Sequence, residues 1–474
     1  MSKNQYDLVV LGGGTAGYVA AIRASQLGKK VAIVERQLLG GTCLHKGCIP
    51  TKSLLKSAEV AHTVTQSSEY GIKINDFSID FNKIMQRKTQ IVNQMFQGVQ
   101  HLMKQNHIDI YNGTGRILGS SIFSPQSGTI SVEYTDGQSE LLTNQFVLIA
   151  TGSRPTELPF LPFDHHIVLS SDDVLNLDTL PHSIAIIGAG VIGLEFASLM
   201  IDLGVHVHVI ESSSRVLPTE SERISQAIQK ALEQRGVHFH LNVELTKDTV
   251  NITTEKIDFT LKDNQIINVD KVLVAVGRKP NTSDIGLNNT KITCNDAGYI
   301  NINKFQQTEE QHIYAAGDCI GKLQLAHVGS KEGIVAVEHM FEHNPIPIDY
   351  QLMPKCVYTY PEIASIGMND NDATVQDIEF ERYTLPLRAN GKSMIVSADN
   401  QAGFIDVIVR ADDKEIIGIQ MFGTHVTELI NEAALLQFMN GSALELGLTT
   451  HAHPSMSEIL IEAGLKIENR AIHV

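Results

Sequence analysis

Residues 6–35 read YDLVVLGGGTAGYVAAIRASQLGKKVAIVE and carry the strongest structural signal in the chain. An apolar run ends at Gly12, glycines follow at Gly14 and Gly17, and a second apolar run ends at Glu35. In this spacing the first glycine permits a tight strand-to-helix turn, the second lets the backbone approach a pyrophosphate, and the third lets helix and strand pack closely. The helix N-terminus then offers free N–H groups and the positive end of its dipole to phosphates. The stretch therefore predicts a strand–turn–helix–strand unit that binds a dinucleotide, with the glutamate accepting hydrogen bonds from a ribose.

The same unit occurs again in residues 183–211, SIAIIGAGVIGLEFASLMIDLGVHVHVIE. Its glycines are Gly188, Gly190 and Gly193, its acid is Glu211, and in both copies the acid lies 23 residues after the first glycine. Two copies in the same context indicate two dinucleotide sites, and so two cofactors that exchange electrons. We expect each copy to build a Rossmann-like domain.

Glu211 indicates which nucleotide the second site takes. A carboxylate at this position suits a free ribose 2′-hydroxyl and repels a 2′-phosphate, which favours NAD over NADP. Arg215 is close enough in sequence to keep NADP as an alternative.

Other apolar runs that end in glycine indicate how the domains are arranged. Residues 146–155 (FVLIATGSRP) and 271–281 (KVLVAVGRKPN) predict strands at crossings between the two nucleotide-binding domains. Asp318, after the strand predicted in HIYAAGDC, fits a helix N-cap and also an acceptor for a flavin ribityl hydroxyl. The predicted fold class is α/β, with two Rossmann-like dinucleotide-binding domains, the second inserted in the first, and a C-terminal α+β domain. The expected boundaries are 1–150 and 278–345 for the first domain, 151–277 for the second, and 346–474 for the C-terminal domain.

Composition limits the classes of partner. The chain has 474 residues and a formal charge of −16, which argues against nucleic-acid binding. No apolar run approaches the roughly 20 residues that span a bilayer, and the first residues show no signal-peptide pattern. We therefore expect no nucleic-acid or membrane partner and a cytoplasmic location, where cysteine pairs are more often catalytic or metal-binding than structural.

Cys43 and Cys48 lie five positions apart in GGTCLHKGCIPTK, residues 40–52. A zinc site needs about four ligands, and too few lie nearby in sequence, so we expect no metal. A structural bridge over so short a loop would constrain the unfolded chain little, which leaves a redox disulfide. Along a regular helix five residues rise roughly 7.5 Å, beyond the usual limit of about 7 Å between bridged Cα atoms. Bonding therefore requires a distorted turn, which Gly47 makes easier.

Residues 40–52 resemble the active-site signature of the flavin-dependent pyridine nucleotide-disulfide oxidoreductases. The resemblance covers essentially the whole chain, through both glycine modules and through ATGSRP, VGRKPNT, YAAGDC, LAHVGSKEG, YTYPEIASIG and HAHPSMSE. Within that family the chain is most similar to the members that oxidise dihydrolipoamide with NAD⁺. The resemblance implies FAD on the first module, NAD on the second, a homodimer joined by the C-terminal domain, and an active site completed across the dimer.

The resemblance also implies which residues contact each cofactor. Lys52 would supply positive charge near the flavin, and Glu195 would pair with that lysine. The implied FAD contacts are Gly12, Gly14, Gly17, Glu35, Lys52, Gly115, Thr151, Gly152, Asp318 and Ala326. The implied NAD contacts are Gly188, Gly190, Gly193, Glu195, Glu211 and Gly277.

The segment HAHPSMSEIL, residues 451–460, carries the implied acid–base pair. His453 matches the family's catalytic base, and Glu458 matches the acid that orients it. From the residues alone, a histidine paired with a carboxylate fits a base that works near neutral pH. Two alternatives stay open: Ser455 and Glu458 also fit a helix capping box, and His451 could bind metal together with His453.

The implied reaction is the oxidation of protein-bound dihydrolipoamide to lipoamide. His453 of a second subunit would take a proton from a substrate thiol, the thiolate would attack Cys43, and Cys48 would become a thiolate beside the flavin, from which hydride passes to NAD⁺. The implied partners are the lipoyl domains and the peripheral-subunit-binding domain of a dihydrolipoyl acyltransferase, in a 2-oxo-acid dehydrogenase or glycine cleavage complex. The alternatives are a glutathione-reductase-like enzyme, which Glu211 disfavours, and a mainly structural subunit of a multienzyme complex.

Overall fold

The structure, a computed structural model, describes residues 4–120, 127–262, 264–397 and 403–474. The strands, in chain order, are β1 (Gln5–Leu11), β2 (Val31–Glu35), β3 (Asp109–Asn112), β4 (Thr114–Ile117), β5 (Ile130–Glu133), β6 (Ser139–Ile149), β7 (Ser153–Pro155), β8 (Val168–Leu169), β9 (Ser183–Ile187), β10 (His206–Ile210), β11 (His238–His240), β12 (Val250–Ile252), β13 (Ile257–Thr260), β14 (Ile266–Val269), β15 (Lys271–Val274), β16 (Arg278–Pro280), β17 (Ile313–Ala315), β18 (Lys355–Val357), β19 (Glu362–Gly367), β20 (Phe380–Pro386), β21 (Phe404–Arg410) and β22 (Ile416–Gly423).

The helices are α1 (Thr15–Gln26), α2 (Gly41–Lys46), α3 (Cys48–Thr65), α4 (Phe81–Gln105), α5 (Ser171–Val174), α6 (Val191–Asp202), α7 (Glu222–Gln234), α8 (Ala326–Met340), α9 (Asp370–Val375), α10 (Gly391–Val396), α11 (Val426–Phe438), α12 (Ala443–Leu448) and α13 (Glu458–Ile467). Short 3₁₀ helices lie at Ser67–Tyr70, Lys247–Thr249, Leu287–Asn289, Asp318–Ile320, Tyr350–Leu352 and Leu387–Ala389. Within the described ranges, no helix combines the length and the apolar character needed to cross a membrane.

The chain divides into two compact units, each built from three segments. Unit 1 consists of Met1–Ser53, Met85–Thr156 and Gly277–Ile348. Unit 2 consists of Leu54–Ile84, Glu157–Val276 and Asp349–Val474.

Unit 1 is built on a mixed sheet with the strand order β3-β2-β1-β6-β5-β4, and β17 also pairs with β6. The strands β3, β2, β1, β6 and β17 run parallel to one another, whereas β5 pairs antiparallel with both β6 and β4. The apolar run of β1 is buried on both faces, because Leu8 and Val10 pack with the alanines of α1 and α8 while Val9 packs with Ile117 and Ile130. Continuous apolar strands of this kind are typical of a covered parallel sheet.

Unit 2 contains the second glycine module and the C-terminal part of the chain. The module lies in a parallel sheet of order β11-β10-β9-β15-β8, against which the antiparallel β12–β14 packs through Phe259. The C-terminal sheet, of order β18-β19-β22-β21-β20, is antiparallel, and α11, α12 and α13 cover it through a shared apolar core. The predicted fold class, two Rossmann-like units with a C-terminal α+β part, is confirmed, while the four residue boundaries stay a prediction.

Candidate active site

The glycines of the first module are required by close backbone contacts. Gly12 has a φ of +104°, and a Cβ there would lie 2.3 Å from the carbonyl oxygen of Ala150. A Cβ on Gly17 would lie 1.9 Å from the Gly12 carbonyl oxygen, so only glycine lets α1 pack this tightly on the loop. Gly14 caps α1 without a side-chain hydrogen bond, which leaves the first N–H groups of the helix available to an anion.

Glu35 closes this module from the end of β2. One carboxylate oxygen accepts a hydrogen bond from the Gly13 N–H at 2.7 Å, and the other accepts one from the Gln37 N–H at 2.7 Å. Each oxygen keeps a lone pair for a ribose hydroxyl. Glu35, the residue expected to bind the ribose, therefore also holds the glycine loop in shape.

The cysteine segment begins directly on the glycine loop. The Gly40 N–H donates to the Gly13 carbonyl oxygen at 2.7 Å, and a Cβ on Gly41 would lie 2.6 Å from the Cα of Gly14. Helix α2 starts at this contact, and the helical path breaks at Gly47, where φ is −152° and ψ is −115°, before α3 starts. The two cysteines thus lie on either side of a helix break, which is the distorted turn expected from the sequence, and next to the loop that would hold a pyrophosphate.

Cys43 and Cys48 are half-buried thiols whose side chains share a hydrogen bond. That bond and, next, burial raise the pKa of the Cys43 thiol, while the ammonium of Lys52 acts in the opposite direction. Tyr18 also lies close to Cys43. Burial, and next the charge of Cys43, raise the pKa of the Tyr18 phenol. The structure therefore brings the predicted lysine to the cysteine pair and adds a tyrosine that the sequence did not indicate.

Three of the expected FAD contacts follow strands that run parallel to one another, so they meet at one edge of the sheet in unit 1. Thr151 and Gly152 follow β6, and Asp318 follows β17. The Oγ1 atom of Thr151 is buried without a hydrogen-bond partner among the described atoms. Asp318 begins a 3₁₀ helix and accepts a hydrogen bond from Ser153 Oγ at 2.5 Å. A buried hydroxyl that lacks a described partner and a carboxylate at the same edge both fit a polar cofactor there.

The other two expected FAD contacts have simpler surroundings. Ala326 is the first residue of α8, whose N-terminus has no side-chain cap. A Cβ on Gly115 would lie 2.6 Å from Leu11 Cδ2 and 3.1 Å from Val34 Cγ1. Core packing alone therefore accounts for glycine at position 115.

The second module repeats the geometry of the first. A Cβ on Gly188 would lie 2.5 Å from the Ala275 carbonyl oxygen, and one on Gly193 would lie 2.0 Å from the Gly188 carbonyl oxygen. Glu211 accepts hydrogen bonds at 2.7 Å from the Ala189 and Ser213 N–H groups. Although burial acts in the opposite direction, these bonds hold the pKa of Glu211 below its usual value, so the acid is charged at neutral pH.

Arg215, the residue that kept NADP open, is bound within its own loop. Its guanidinium donates to the carbonyl oxygens of Pro218 at 2.7 Å and Glu220 at 2.9 Å, and to Ser225 Oγ at 3.3 Å. These contacts direct the guanidinium into the loop that precedes α7.

Two expected NAD contacts have other partners in the structure. Glu195 is buried in α6, and its carboxylate accepts a hydrogen bond from the Tyr358 N–H at 3.0 Å. Gly277, with a φ of +111°, belongs to unit 1, where its carbonyl oxygen accepts from the Thr156 N–H at 3.1 Å. Their roles toward a nucleotide stay predictions.

His453 and Glu458 form the expected pair. His453 Nδ1 lies 2.9 Å from Glu458 Oε1, and the histidine side chain is 81% exposed. The second Glu458 oxygen accepts from the Ser455 N–H at 2.8 Å. That bond and then the one to His453 lower the pKa of Glu458, so it stays a carboxylate. This arrangement fixes the ring and leaves its other nitrogen facing solvent.

The alternatives for this segment are less well supported. The helix α13 begins at Glu458 with Ser457 as its N-cap, and Ser455 Oγ has no hydrogen-bond partner among the described atoms, so only one of the two capping-box bonds, from the Ser455 N–H to Glu458, is present. His451 pairs with Glu432 rather than with His453. Within the part of the chain that the structure describes, no group of three or more histidine, cysteine or carboxylate side chains is arranged to hold a metal ion.

The predicted site residues thus fall into two sets. Unit 1 holds the cysteine pair with every expected FAD contact, and unit 2 holds the His453–Glu458 pair with the second glycine module. Sequence reasoning missed Gly40 and Gly41, which seat α2 on the glycine loop. The double glycine just before Cys43 was the available signal for them.

Comparisons with known proteins agree with this geometry. Residues 6–333 match the family model described as pyridine nucleotide-disulphide oxidoreductase, and residues 353–463 match the dimerisation domain of that family. A protein named dihydrolipoyl dehydrogenase from Bacillus subtilis is 46% identical over 99% of both chains, and a second one from that organism is 39% identical over 98% of this chain and 99% of its own length. The crystal structure of LpdA from Mycobacterium tuberculosis is similar with a TM-score of 0.90 and 26% identity, over 98% of this chain and 99% of that one.

The structure of a flavoprotein disulfide reductase, RclA from Escherichia coli, is similar with a TM-score of 0.83 and 25% identity, over 96% of this chain and 98% of that one. The dimerisation domain indicates a homodimer. The matches confirm the predictions of an oxidoreductase enzyme and of FAD and NAD as its cofactors. The chain belongs to the pyridine nucleotide-disulphide oxidoreductase family.

Proposed function

We propose that this chain oxidises dihydrolipoyl groups to lipoyl disulfides and delivers the electrons to NAD⁺ through the Cys43–Cys48 pair. The observation that carries the proposal is the seating of α2 on the first glycine loop, at the contact between Gly41 and Gly14. This seating sets a redox-capable cysteine pair beside a dinucleotide loop. The full-length similarity to proteins named dihydrolipoyl dehydrogenase supports the substrate class.

The residues of unit 1 fit a bound FAD. The N-terminus of α1 and the loop from Gly12 would hold the pyrophosphate, Glu35 a ribose, and Asp318 a ribityl hydroxyl. The buried Oγ1 of Thr151 would gain the partner that it lacks among the described atoms. Bound FAD supplies a two-electron carrier between the cysteine pair and the nicotinamide.

The chain's own residues carry the thiol chemistry. A substrate thiolate attacks Cys43 Sγ of the oxidised pair, the bond to Cys48 breaks, and the second substrate thiol then displaces Cys43 to close the lipoyl disulfide. Two electrons and two protons have then passed from substrate to the cysteine pair. Cys48 begins α3, so the positive helix end and Lys52 both favour negative charge on its sulfur. Reduction of NAD⁺ consumes the two electrons and one proton and releases the other proton.

His453 fits the proton acceptor for the substrate thiol. Glu458 holds its Nδ1 side, which leaves Nε2 to take a proton from substrate. We propose that His453 of one copy serves the cysteine pair of a second copy, with the dimerisation domain bringing the two together. The cytoplasmic location, the lipoyl domains and the peripheral-subunit-binding domain of a dihydrolipoyl acyltransferase belong to the same proposal.

Nucleotide preference follows from unit 2. Glu211 is held in its charged form at the ribose position, and Arg215 is engaged with its own loop rather than available for a 2′-phosphate. Both features favour NAD over NADP, and so oppose a glutathione-reductase-like activity.

The test is steady-state turnover of the purified holoenzyme with dihydrolipoamide or glutathione and with NAD⁺ or NADP⁺. We expect NADH formation with dihydrolipoamide and loss of that activity in Cys43→Ser. Comparable rates with glutathione or with NADP⁺ would contradict the substrate and nucleotide assignments. Turnover that survives Cys43→Ser would contradict the role given to Cys43, and a wild-type protein without dihydrolipoamide turnover would leave the alternative of a structural subunit.

A further inference from the structure

Two histidine pairs lie side by side at the edge of the sheet in the second nucleotide module. The runs VHVH (residues 205–208) and VHFH (residues 237–240) place histidines at alternate positions of β10 and β11. Alternate residues of a strand point to the same face, and the parallel register sets His208 opposite His238. The imidazoles of both pairs therefore lie on one face of two neighbouring strands, and β11 is the edge strand.

Core packing does not account for these histidines. The intervening Val207 and Val209 of β10 are fully buried and face the opposite side of the sheet. His206 and His238 are exposed, and His208 and His240 are half-buried. Polar residues of many kinds would serve on such a face, so the recurrence of one side chain needs a further reason.

The rings are in contact with one another. The Nδ1 atom of His208 lies 3.1 Å from the Nε2 atom of His240. The His208 ring stacks on His238 at 5.1 Å between centroids and on His240 at 5.4 Å. A divalent cation bound by imidazole nitrogens at about 2.0–2.1 Å places two such ligands roughly 2.9–3.4 Å apart. The His208–His240 nitrogen separation already lies in that range.

We propose that His208 and His240 bind a divalent cation of the class that prefers imidazole, Ni²⁺, Cu²⁺ or Zn²⁺, with His238 as a third ligand and water completing the shell. Imidazole nitrogens suit these three cations. The cation replaces the hydrogen bond between the two rings: the ring that donates it moves its proton to its other nitrogen, and no electron is transferred. The exposed His238 side chain turns about its own torsions to reach the ion, since the three rings are not in coordination geometry as they stand.

The site is separate from the cysteine pair and uses side chains that the redox proposal leaves unassigned. It adjoins the nucleotide module through the backbone, because the His240 carbonyl oxygen accepts the Glu211 N–H at 2.9 Å. A bound cation would therefore lie beside the strand that carries the ribose carboxylate.

The test is calorimetric titration of the oxidised holoenzyme with Ni²⁺, a state in which the bonded cysteines offer no thiolate. We expect one ion per chain, and in H208N/H240N a loss of affinity of at least about 10-fold, because changes even outside the ligand shell cost roughly 10–100-fold. The control H165N/H166N alters two histidines next to each other elsewhere in unit 2 and should keep the wild-type affinity. NADH binding checks that each variant is folded.

A second measurement uses the unaltered protein. Ni²⁺ should slow the modification of His208 and His240 by diethyl pyrocarbonate, read by mass spectrometry, and leave that of the exposed His165 unchanged. Three results would overturn the proposal. The first is that wild type and H208N/H240N bind Ni²⁺ equally, or that neither binds it. The second is an equal loss of Ni²⁺ binding in H165N/H166N, and the third is a failure of Ni²⁺ to protect His208 and His240 from modification.

Discussion

The two glycine modules have the same design but differ at their second glycine. In both, the first and third glycines admit no Cβ, and the terminal glutamate holds the loop with a 2.7 Å hydrogen bond from the residue after the first glycine. At Gly14, however, the cysteine segment, residues 40–52, approaches closely: the Cα of Gly41 would lie 3.9 Å from a Cβ added at Gly14. At Gly190 no described atom beyond the two adjacent residues would lie within 4 Å of an added Cβ.

This difference shows how one supersecondary unit acquires two roles. A nucleotide on the first module would lie against the chain's own cysteine segment, as a resident cofactor must if it exchanges electrons with Cys43 and Cys48. A nucleotide on the second module would meet an open loop, which suits a cofactor that enters and leaves. The specialisation therefore lies in the segment that follows each module and not in the module itself.

The most damaging change should be to the cysteine segment, which only the first module possesses. Because no other described group replaces its sulfur, Cys43→Ser should lower kcat for dihydrolipoamide oxidation by about 1000-fold or more, the scale of a lost nucleophile. Stopped-flow or steady-state NADH formation measures it. The matched control is Cys294→Ser, which alters an exposed thiol of the same unit and should leave kcat unchanged. Equal losses in the two variants would show that the cysteine segment has no special role.

The next largest effect should come from His453, which we propose serves the cysteine pair of a second copy. His453→Gln removes the proton acceptor and should lower kcat by roughly 10²–10⁴-fold, the usual contribution of a general base. His451→Gln, at a histidine that pairs with Glu432, should cost far less. If His451→Gln is the more harmful variant, the roles assigned to the two histidines are wrong.

The parts of this architecture that depend on local patterns could be predicted from the sequence. The glycine spacing, the acid 23 residues on and the helix break at Gly47 all follow from nearby residues. The His453–Glu458 pairing required the family resemblance, because a capping box explained the same residues.

The remaining features depend on contacts between residues far apart in the chain. The seating of Gly41 on Gly14 joins segments that only the folded sheet brings together, and the approach of Tyr18 to Cys43 follows from that seating. At Gly115 the packing of Leu11 and Val34 already explains the glycine, so its contact with the cofactor, which the resemblance implies, stays a prediction. The orientation of Arg215 likewise depends on the turn before α7.

A third prediction tests whether the modules act independently. Gly17→Ala and Gly193→Ala each place a Cβ about 2 Å from a carbonyl oxygen of their own loop, an overpacking that typically costs about 1–3 kcal/mol. Gly17→Ala should lose bound flavin, whereas Gly193→Ala should keep the flavin and raise the KM for NAD⁺. Flavin absorbance and the KM values measure this separation. Gly190→Ala meets open space, so it should keep wild-type thermal stability while still raising the KM for NAD⁺. Loss of flavin in Gly193→Ala would mean that the modules do not act separately.

The smallest expected effect concerns the glutamate of the second module. Hydrogen bonds from Ala189 and Ser213 hold the pKa of Glu211 below its usual value against the opposing effect of burial. A lowered folded-state pKa means that this contribution to stability is present above about pH 4.5 and is lost as the pH falls through the folded-state value. Glu211 is partly exposed, so solvent screening keeps the effect modest. Glu211→Gln should therefore reduce the fall in Tm between pH 7 and pH 4 by only about 1–3 °C, while Glu244→Gln, at an exposed glutamate of the same unit, should not change it. If Glu211→Gln leaves the Tm difference unaltered in the holoenzyme, the Glu211 carboxylate does not stabilise its loop. The two modules would then share only their backbone geometry.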